Sequence, residues 1–217
     1  MATADLAITT RSLGKILDDL GGIDPARVLL KQPLGQATEA DLIRSNAGGL
    51  TRCELVDGML VEKGMGYNES NLALALAGFL RAFIVPRNLG LLTGEAGMMR
   101  LVPGLVRVPD LAFASWDRIP GRRPTGPIAG FAPDLAVEIL SRSNTRAEMA
   151  RKRRENFASG VRLVWEVDPV TRTVAVFDAP DHSRLLDDSQ ILDGGDVLPG
   201  FALPLADLFG ELDRHGI

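Results

Sequence analysis

The stretches VRVPDLAF, residues 106–113, and APDLAVEIL, residues 132–140, decide how this chain folds. Their short runs of valine, leucine and alanine are typical of buried β-strands. Each stretch nevertheless carries an acid, Asp110 in the first and Glu138 in the second. An ionised carboxylate among apolar neighbours is costly unless a basic partner, a set of hydrogen bonds or a metal ion compensates it. The two acids are therefore the first candidates for a functional site.

The spacing of the acids predicts that they meet. Successive strand side chains alternate faces, so Glu138 and Leu140 face away from Val137 in the middle of their strand. Asp110 follows Pro109 near the end of the preceding strand segment, and the loop between the two acids is long enough to bring both carboxylates to one edge of a sheet. Two hard oxygen ligands of this kind suit Mg²⁺. Phosphodiester hydrolysis is the reaction that such a site favours.

The composition narrows the class of protein. With 217 residues and 46% hydrophobic content, the chain can bury a sizeable core, and its length predicts one domain with a short extension. The formal net charge of −4 at pH 7 excludes a protein that holds nucleic acid by bulk positive charge. Any nucleic-acid role must therefore rest on a local site.

Cysteine and histidine usage excludes two further classes of site. Cys53 is the only cysteine, and His182 and His215 are the only histidines, which excludes a disulfide framework and a cysteine/histidine zinc site. The chain has no long apolar stretch near its first residue and no apolar run of about eighteen residues anywhere. We therefore expect a soluble, unexported protein in a reducing cytoplasm, with no membrane partner.

Local signals predict most of the secondary structure. Capping residues and apolar spacing predict helices over residues 13–20, 39–46, 69–85 and 145–158. Asp57-Gly58 predicts a hairpin with strands near residues 53–56 and 59–63. Further predicted strands are MMRLV, VRVPDLAF, DLAVEIL, RLVWEV and TVAVFDA.

These elements do not alternate regularly as βαβ units. An α+β fold with a mixed β-sheet is therefore the predicted class. We expect residues 1–37 to form a short helical N-terminal extension and residues 38–217 to form the main domain.

The chain resembles the PD-(D/E)XK nuclease superfamily and, within it, the bacterial Uma-two family of restriction-endonuclease-like proteins. The matching blocks are, in order, CELVDGML, VRVPDLAF, PDLAVEILS, RKRRENFASGVRLVWEVDP, TVAVF and LDGGDVLPGFALPLADLF, from about residue 38 to 210. The resemblance implies a restriction-endonuclease-like core in which helices flank a mixed β-sheet. It also implies a hydrolase that cleaves DNA with Mg²⁺, for which Mn²⁺ can substitute.

The resemblance assigns site residues and shows one departure. The superfamily pattern places a lysine two residues after the strand acid, where this chain has Leu140. In the Uma-two branch that lysine lies on the following helix, which makes Lys152 its counterpart. By the same resemblance, Asp110 and Glu138 are the metal ligands and Lys152 orients the attacking water or offsets phosphate charge. Glu54 is the upstream acid, which binds water at the metal or ligates a second ion.

Plainer interpretations stay open for each of these residues. Asp110 could be a turn acid after proline, Glu138 could pair with a core arginine, and Lys152 could lie on a solvated helix face. Asp134 repeats the Pro-Asp pair and competes with Asp110. Candidate phosphate-binding residues are Arg142, Arg146, Arg151, Arg153 and Arg154, with Arg122 and Arg123 on the long loop.

Three functions are compatible with these features. The first is a Mg²⁺-dependent DNA endonuclease, expected as a homodimer because cleavage of two strands needs two sites. The second is a noncatalytic nuclease-fold module that binds nucleic acid or protein, and metal binding discriminates it from the first. The third, a hydrolase of small molecules, ranks last because the chain has no nucleophile elbow, phosphate-binding glycine loop or dinucleotide fingerprint.

Overall fold

The computed structural model describes residues 12–48, 52–64 and 66–214. Residues 1–11 of the expected extension and His215 lie outside the described residues. The described ranges form five α-helices: α1 (Leu13–Asp19), α2 (Glu39–Ala47), α3 (Tyr67–Ile84), α4 (Arg146–Ala158) and α5 (Leu205–Gly210). None of these helices is long and apolar enough to cross a membrane.

The described ranges also contain thirteen β-strands. They are β1 (Val28–Leu29), β2 (Cys53–Val56), β3 (Met59–Glu62), β4 (Gly90–Gly94), β5 (Met99–Val102), β6 (Leu105–Arg107), β7 (Leu111–Ser115), β8 (Leu135–Ile139), β9 (Leu163–Asp168), β10 (Thr173–Ala179), β11 (His182–Asp187), β12 (Ile191–Gly194) and β13 (Leu198–Pro204).

The central sheet has six strands in the order β11-β10-β9-β8-β7-β4. Strands β8 and β9 pair in parallel, and the other neighbours in this sheet are antiparallel. A parallel pair needs a crossover connection, and α4 supplies it between β8 and β9. The sheet is therefore mixed and flanked by helices, which confirms the predicted α+β class.

A second, antiparallel sheet has the order β1-β3-β2-β6-β5. Its β2–β3 hairpin turns at Asp57 and Gly58, whose φ angles are 49° and 68°. Two successive positive φ angles are typical of the type I′ turn that matches the twist of paired strands. The predicted hairpin is therefore confirmed. A separate pair, β12–β13, leads into α5.

The main core lies between α3 and one face of the central sheet. Leu72, Leu76 and Leu80 follow one another along α3 at helical spacing and are fully buried. They belong to the same apolar cluster as Val137 of β8 and Trp165 of β9. Because Val137 faces this core, its neighbour Glu138 must face the opposite side of the sheet.

The prediction that VRVPDLAF forms a single strand is wrong. The chain leaves β6 in the second sheet, passes Val108–Pro109–Asp110, and enters β7 in the central sheet. Proline has no backbone N–H to donate to a strand ladder, so a break at Pro109 is physically reasonable. Asp110 consequently lies where the two sheets meet. Strands β1, β4, β11 and β12 were also not predicted.

The described part of the N-terminal segment packs on the second sheet. Leu20 and Ile23 are buried in one apolar cluster with Val56 and Met59, and β1 pairs with β3. The domain boundary at residue 38 stays a prediction. Residues 20–29 nevertheless contribute directly to the packing of the second sheet.

Candidate active site

Asp110 is fixed at the junction of the two sheets. Its backbone N–H donates to the carbonyl of Val137 at 3.0 Å, and its Oδ2 accepts a hydrogen bond from the backbone N–H of Ile139 at 2.6 Å. The other oxygen, Oδ1, is buried without a hydrogen-bond partner. It does form an ion pair with Lys63 Nζ at 2.7 Å. The structure thus gives one buried carboxylate oxygen of Asp110 a cation, Lys63, as its partner.

Glu138 is the second carboxylate of the cluster. It lies in β8, is 4% exposed, and points toward the second sheet. Its Oε2 lies 3.4 Å from Lys152 Nζ and 3.4 Å from Lys63 Nζ. The interpretation that Glu138 pairs with a core arginine is therefore wrong, because its partners are two lysines.

Lys152 reaches this cluster from α4. The side chain is 2% exposed, which rules out a solvated helix face. In addition to Glu138, its Nζ contacts Glu54 Oε2 at 3.3 Å. A lysine on the following helix thus lies beside the strand acid, as the resemblance implies. Leu140, at the usual lysine position, has no role in the cluster.

Glu54 anchors the side of the cluster formed by the second sheet. Its Oε1 accepts from the backbone N–H of Val108 at 3.1 Å, and its Oε2 accepts from Arg107 Nη1 at 2.7 Å. Burial disfavours the ionised carboxylate, but the charges of Lys152, Arg107 and Lys63 outweigh burial and hold the pKa of Glu54 well below its ordinary value. The Glu54 carboxylate is therefore ionised, and the Val108 N–H and the Arg107 guanidinium hold it in place.

Lys63 was missed as a site residue. Its Nζ donates to the Val108 carbonyl at 2.6 Å and contacts the two carboxylates already described. The sequence did contain a signal. Glu54 pairs with Val61 across the hairpin, and a residue two positions further along an extended chain faces the same side. Lys63 therefore follows Glu54 onto the buried face of the hairpin.

The cluster is buried and formally balanced in charge. Three carboxylates, Glu54, Asp110 and Glu138, face the cations Lys63, Lys152 and Arg107. Arg107 is shared with a fourth carboxylate, Glu155, which Arg151 also pairs, so four negative charges meet four positive ones. Burial raises the pKa of Glu138, and the opposing charges of Lys152 and Lys63 limit that rise. Burial also disfavours the Lys63 ammonium, but Glu138 and Asp110 outweigh it and raise the pKa of Lys63.

The position of α4 depends on the N-terminal segment. Arg27 binds both carboxylate oxygens of Glu148, at 3.0 and 2.7 Å, in the first turn of α4. Gly21, with φ 92°, packs so closely that a Cβ there would lie 2.4 Å from the backbone nitrogen of Glu148. These contacts fix the helix that carries Lys152.

The predicted phosphate-binding arginines fall into two groups. Arg151 and Arg153 are held by ion pairs with Glu155 and Glu166. The remaining predicted arginines are exposed: Arg122, Arg123, Arg142, Arg146 and Arg154. Within the described residues, none of these five forms an ion pair.

A pocket of about 390 Å³ lies between the end of β8 and the start of α4. Arg142 and Arg146 are among its lining residues, together with Leu140 and Asn144. Gly64 packs against Ser143, since a Cβ on Gly64 would lie 2.3 Å from Ser143 Oγ. The segment after β3 and the segment after β8 therefore meet beside the buried cluster.

Asp134 does not compete with Asp110. Its carboxylate binds Arg118 Nε at 3.0 Å and the backbone N–H of Ser115 at 2.8 Å. It is not among the carboxylates that contact Lys63 or Lys152. Asp134 thus stabilises the loop after β7 through these two hydrogen bonds.

The donor set of the cluster fits a hard cation. In the described ranges no group of three or more histidine, cysteine, aspartate and glutamate side chains is arranged to hold a metal ion. What the cluster offers is two carboxylates, Asp110 and Glu138, with the Val108 carbonyl beside them. Mg²⁺ is typically bound by one or two carboxylates, with water and substrate phosphate as its other ligands. Asp110 Oδ1, which already contacts a cation in Lys63, is suited to this role.

Comparison with known proteins agrees with this geometry. A solved structure described as "a putative nuclease belonging to DUF820" from Anabaena variabilis matches with a TM-score of 0.66 and 21% identity, covering 75% of this chain and 92% of that one. At this identity the likeness establishes the fold. A search of curated proteins gave no match. The model of the Uma2 (Uma-two) family, described as "Putative restriction endonuclease", matches residues 40–206. Because this match covers well over half of the chain, the protein belongs to the Uma2 family.

Proposed function

We propose that the protein is a Mg²⁺-dependent endonuclease that hydrolyses DNA phosphodiester bonds, with Mn²⁺ as a substitute ion. The observation that carries the proposal is the meeting of Asp110 and Glu138 around one cation position. One lysine, Lys152, lies beside Glu138. The family description and the nuclease-like fold support the same reaction class.

Within this proposal, Asp110 and Glu138 hold the metal. The hydrogen bond from the Ile139 N–H to Asp110 Oδ2 orients that carboxylate, so that Oδ1 faces the cation position where Lys63 Nζ lies. When bound, Mg²⁺ polarises the scissile phosphate and lowers the pKa of an attacking water. Glu138 lies in β8, and Asp110 directly precedes the adjacent β7 and donates its backbone N–H to Val137 of β8, so the sheet sets both ligand positions.

Lys152 and Glu54 act as a pair. The Lys152 ammonium, fixed between Glu54 and Glu138, orients the attacking water or offsets charge on the phosphate. Glu54, which Arg107 and the Val108 N–H hold in place, positions Lys152 and supplies a further oxygen for water or a second ion. Preorganised charges of this kind act without rearranging during the reaction.

The exposed arginines supply the DNA contacts in this proposal. Arg142 and Arg146 line the pocket between the end of β8 and the start of α4, and Arg154 is exposed further along α4. Arginine binds phosphate oxygens through a planar set of donors, and such contacts position a DNA backbone without reading its sequence. We further propose a cytoplasmic homodimer, which would present one site to each strand.

A second candidate function is a noncatalytic nuclease-fold module that binds nucleic acid or protein. The observation that favours it is the burial of all three carboxylates together with their complete pairing by Lys63, Lys152 and Arg107. A buried, charge-balanced cluster can also serve structure alone. Metal-dependent cleavage separates the two candidates.

The test is cleavage of supercoiled plasmid by the purified protein with Mg²⁺ or Mn²⁺, beside Asp110→Asn and Glu138→Gln. The matched control is Asp134→Asn, which changes an aspartate that also follows proline but lies outside the cluster. We expect metal-dependent cleavage by the wild type and the control, and loss in both site variants while circular dichroism shows them folded. Absence of cleavage with either ion, or full activity in both site variants, would overturn the proposal.

A further inference from the structure

Lys63 occupies the position at which the oxygen ligands of the cluster converge. Its Nζ lies 2.6 Å from the Val108 carbonyl, 2.7 Å from Asp110 Oδ1 and 3.4 Å from Glu138 Oε2. Two of these oxygens belong to the carboxylates assigned to the metal. We propose that Lys63 is a built-in cation that holds the metal position in the resting protein and must leave when a divalent ion binds.

The first argument is steric. Mg²⁺ binds oxygen at about 2.0–2.1 Å, and the Lys63 ammonium already contacts the same Asp110 oxygen. A metal ion bound by both Asp110 Oδ1 and Glu138 Oε2 would lie between these two oxygens, in the space that Lys63 Nζ now fills, and the charges of the two cations would repel. Lys63 and the metal are therefore competitors for this position.

The second argument is the charge of the cluster. With Glu155 and Arg151 included, four carboxylates face four cationic side chains, so adding a divalent ion without any other change leaves an excess of two positive charges in a buried site. Departure of Lys63 removes one of these charges, and arrival of a phosphodiester removes the other. Metal binding should therefore be coupled to displacement of Lys63 and strengthened by DNA.

The third argument is the difference between the two lysines. Lys152 lies within α4, where Glu54 and Glu138 hold it from two sides. Lys63 follows the last residue of β3, and Gly64 comes next. Its backbone N–H stays bonded to the carbonyl of Arg52 at 2.7 Å. The side chain of Lys63 can therefore swing away without unpairing the hairpin.

The inference rests on the proposed function, but its test measures metal binding without DNA cleavage. The dissociation constant for Mn²⁺ is measured by calorimetry in the absence of DNA for the wild type, Lys63→Met and Lys152→Met. Lys152→Met is the matched control, because it removes another buried ammonium from the same cluster without freeing Asp110. We expect Lys63→Met to bind Mn²⁺ about tenfold more tightly than the wild type or better, and Lys152→Met to gain much less.

Equal affinities for Lys63→Met and the wild type would overturn the inference, as would an equal gain in Lys152→Met. Since Lys63→Met could fail to fold, the wild type supplies a second measurement. Acetylation of lysines is quantified by mass spectrometry with and without saturating Mn²⁺. We expect Lys63 to be protected in the metal-free protein and to react when Mn²⁺ is bound, while Lys152 stays protected. Continued protection of Lys63 at saturating Mn²⁺ contradicts the inference.

These outcomes separate the two proposals. Tighter Mn²⁺ binding by Lys63→Met, with no cleavage by the wild type, supports the inference about Lys63 and overturns the endonuclease. Cleavage by the wild type, with no gain in Lys63→Met, does the reverse. No Mn²⁺ binding by any of the three proteins overturns both.

Discussion

Replacement of Lys152 by methionine tests whether this lysine belongs to a buried charge network. Lys152 Nζ lies 3.3 Å from Glu54 Oε2 and 3.4 Å from Glu138 Oε2, and the side chain is 2% exposed. Removal of one partner from a buried ion pair typically costs about 3–5 kcal/mol, because the remaining charge is left uncompensated. Arg107 still compensates Glu54 and Lys63 still compensates Glu138. We therefore expect a loss near the lower limit, about 3 kcal/mol at neutral pH.

This loss should depend on pH. Burial raises the pKa of Glu138 above its ordinary value of 4.5, and Lys152 is the strongest of the neighbouring charges that oppose the rise. Without Lys152, the pKa of Glu138 rises further. A carboxyl group with a higher pKa in the folded state favours folding while it is protonated, and that contribution is lost as pH rises through the folded-state pKa. The loss of stability in Lys152→Met should thus be smaller at about pH 5 than at about pH 8.

The assay is urea denaturation of the wild type and Lys152→Met at both pH values, with plasmid cleavage measured in parallel. Lys15→Met is the control, because Lys15 is 64% exposed and pairs with Asp19 on the surface; its loss should stay below about 1 kcal/mol. Cleavage by Lys152→Met should fall about 100-fold or more. A loss of stability below about 1 kcal/mol at both pH values, or a larger loss at the acidic pH, would refute the reasoning.

Two further predictions concern the support of α4 and the DNA contacts. Gly21→Ala should destabilise the protein by more than about 2 kcal/mol, because it combines a positive φ with a Cβ placed against the backbone of Glu148. Gly22→Ala, which has φ 66° and open space around it, should cost about 1 kcal/mol. Equal thermal shifts for the two variants would contradict this packing. The last prediction replaces three exposed arginines together by glutamine: Arg142, Arg146 and Arg154. DNA binding should weaken, and the slope of log K against log salt should fall in magnitude by about 2–3, without a change in melting temperature. An unchanged slope would exclude these arginines as phosphate ligands.

Local signals in the sequence predicted the fold where short-range chemistry decides it. The Asp57-Gly58 turn has its own backbone preference, and the capping box of Thr38 with Asp41 starts α2 as expected. The break at Pro109 was missed because VRVPDLAF reads as a continuous apolar run. Its two halves join different sheets only through long-range pairing: β6 with β2, and β7 with β8. No local pattern encodes that partition.

The site was predictable to a similar extent. Glu138 and Asp110 were predicted from the residues as charges in apolar strand segments, and the resemblance supplied Lys152 and Glu54. The structure brings the four together. Lys63 was missed because a lysine at the end of a strand usually reaches solvent. Its burial depends on Asp110 and Glu138 arriving from the other sheet. The one signal that could have identified Lys63 is its position two residues after Val61, the cross-strand partner of Glu54, which places both side chains on the same face of the hairpin.

The most direct test of the central claim is the position of the metal ion. Crystals grown with Mn²⁺ and a short DNA duplex would be measured at the manganese absorption edge. The account predicts an anomalous peak bound by Asp110 and Glu138, with Lys63 displaced from Asp110 Oδ1. A peak only at other residues, or Lys63 still in contact with both carboxylates while Mn²⁺ and DNA are present, would contradict it.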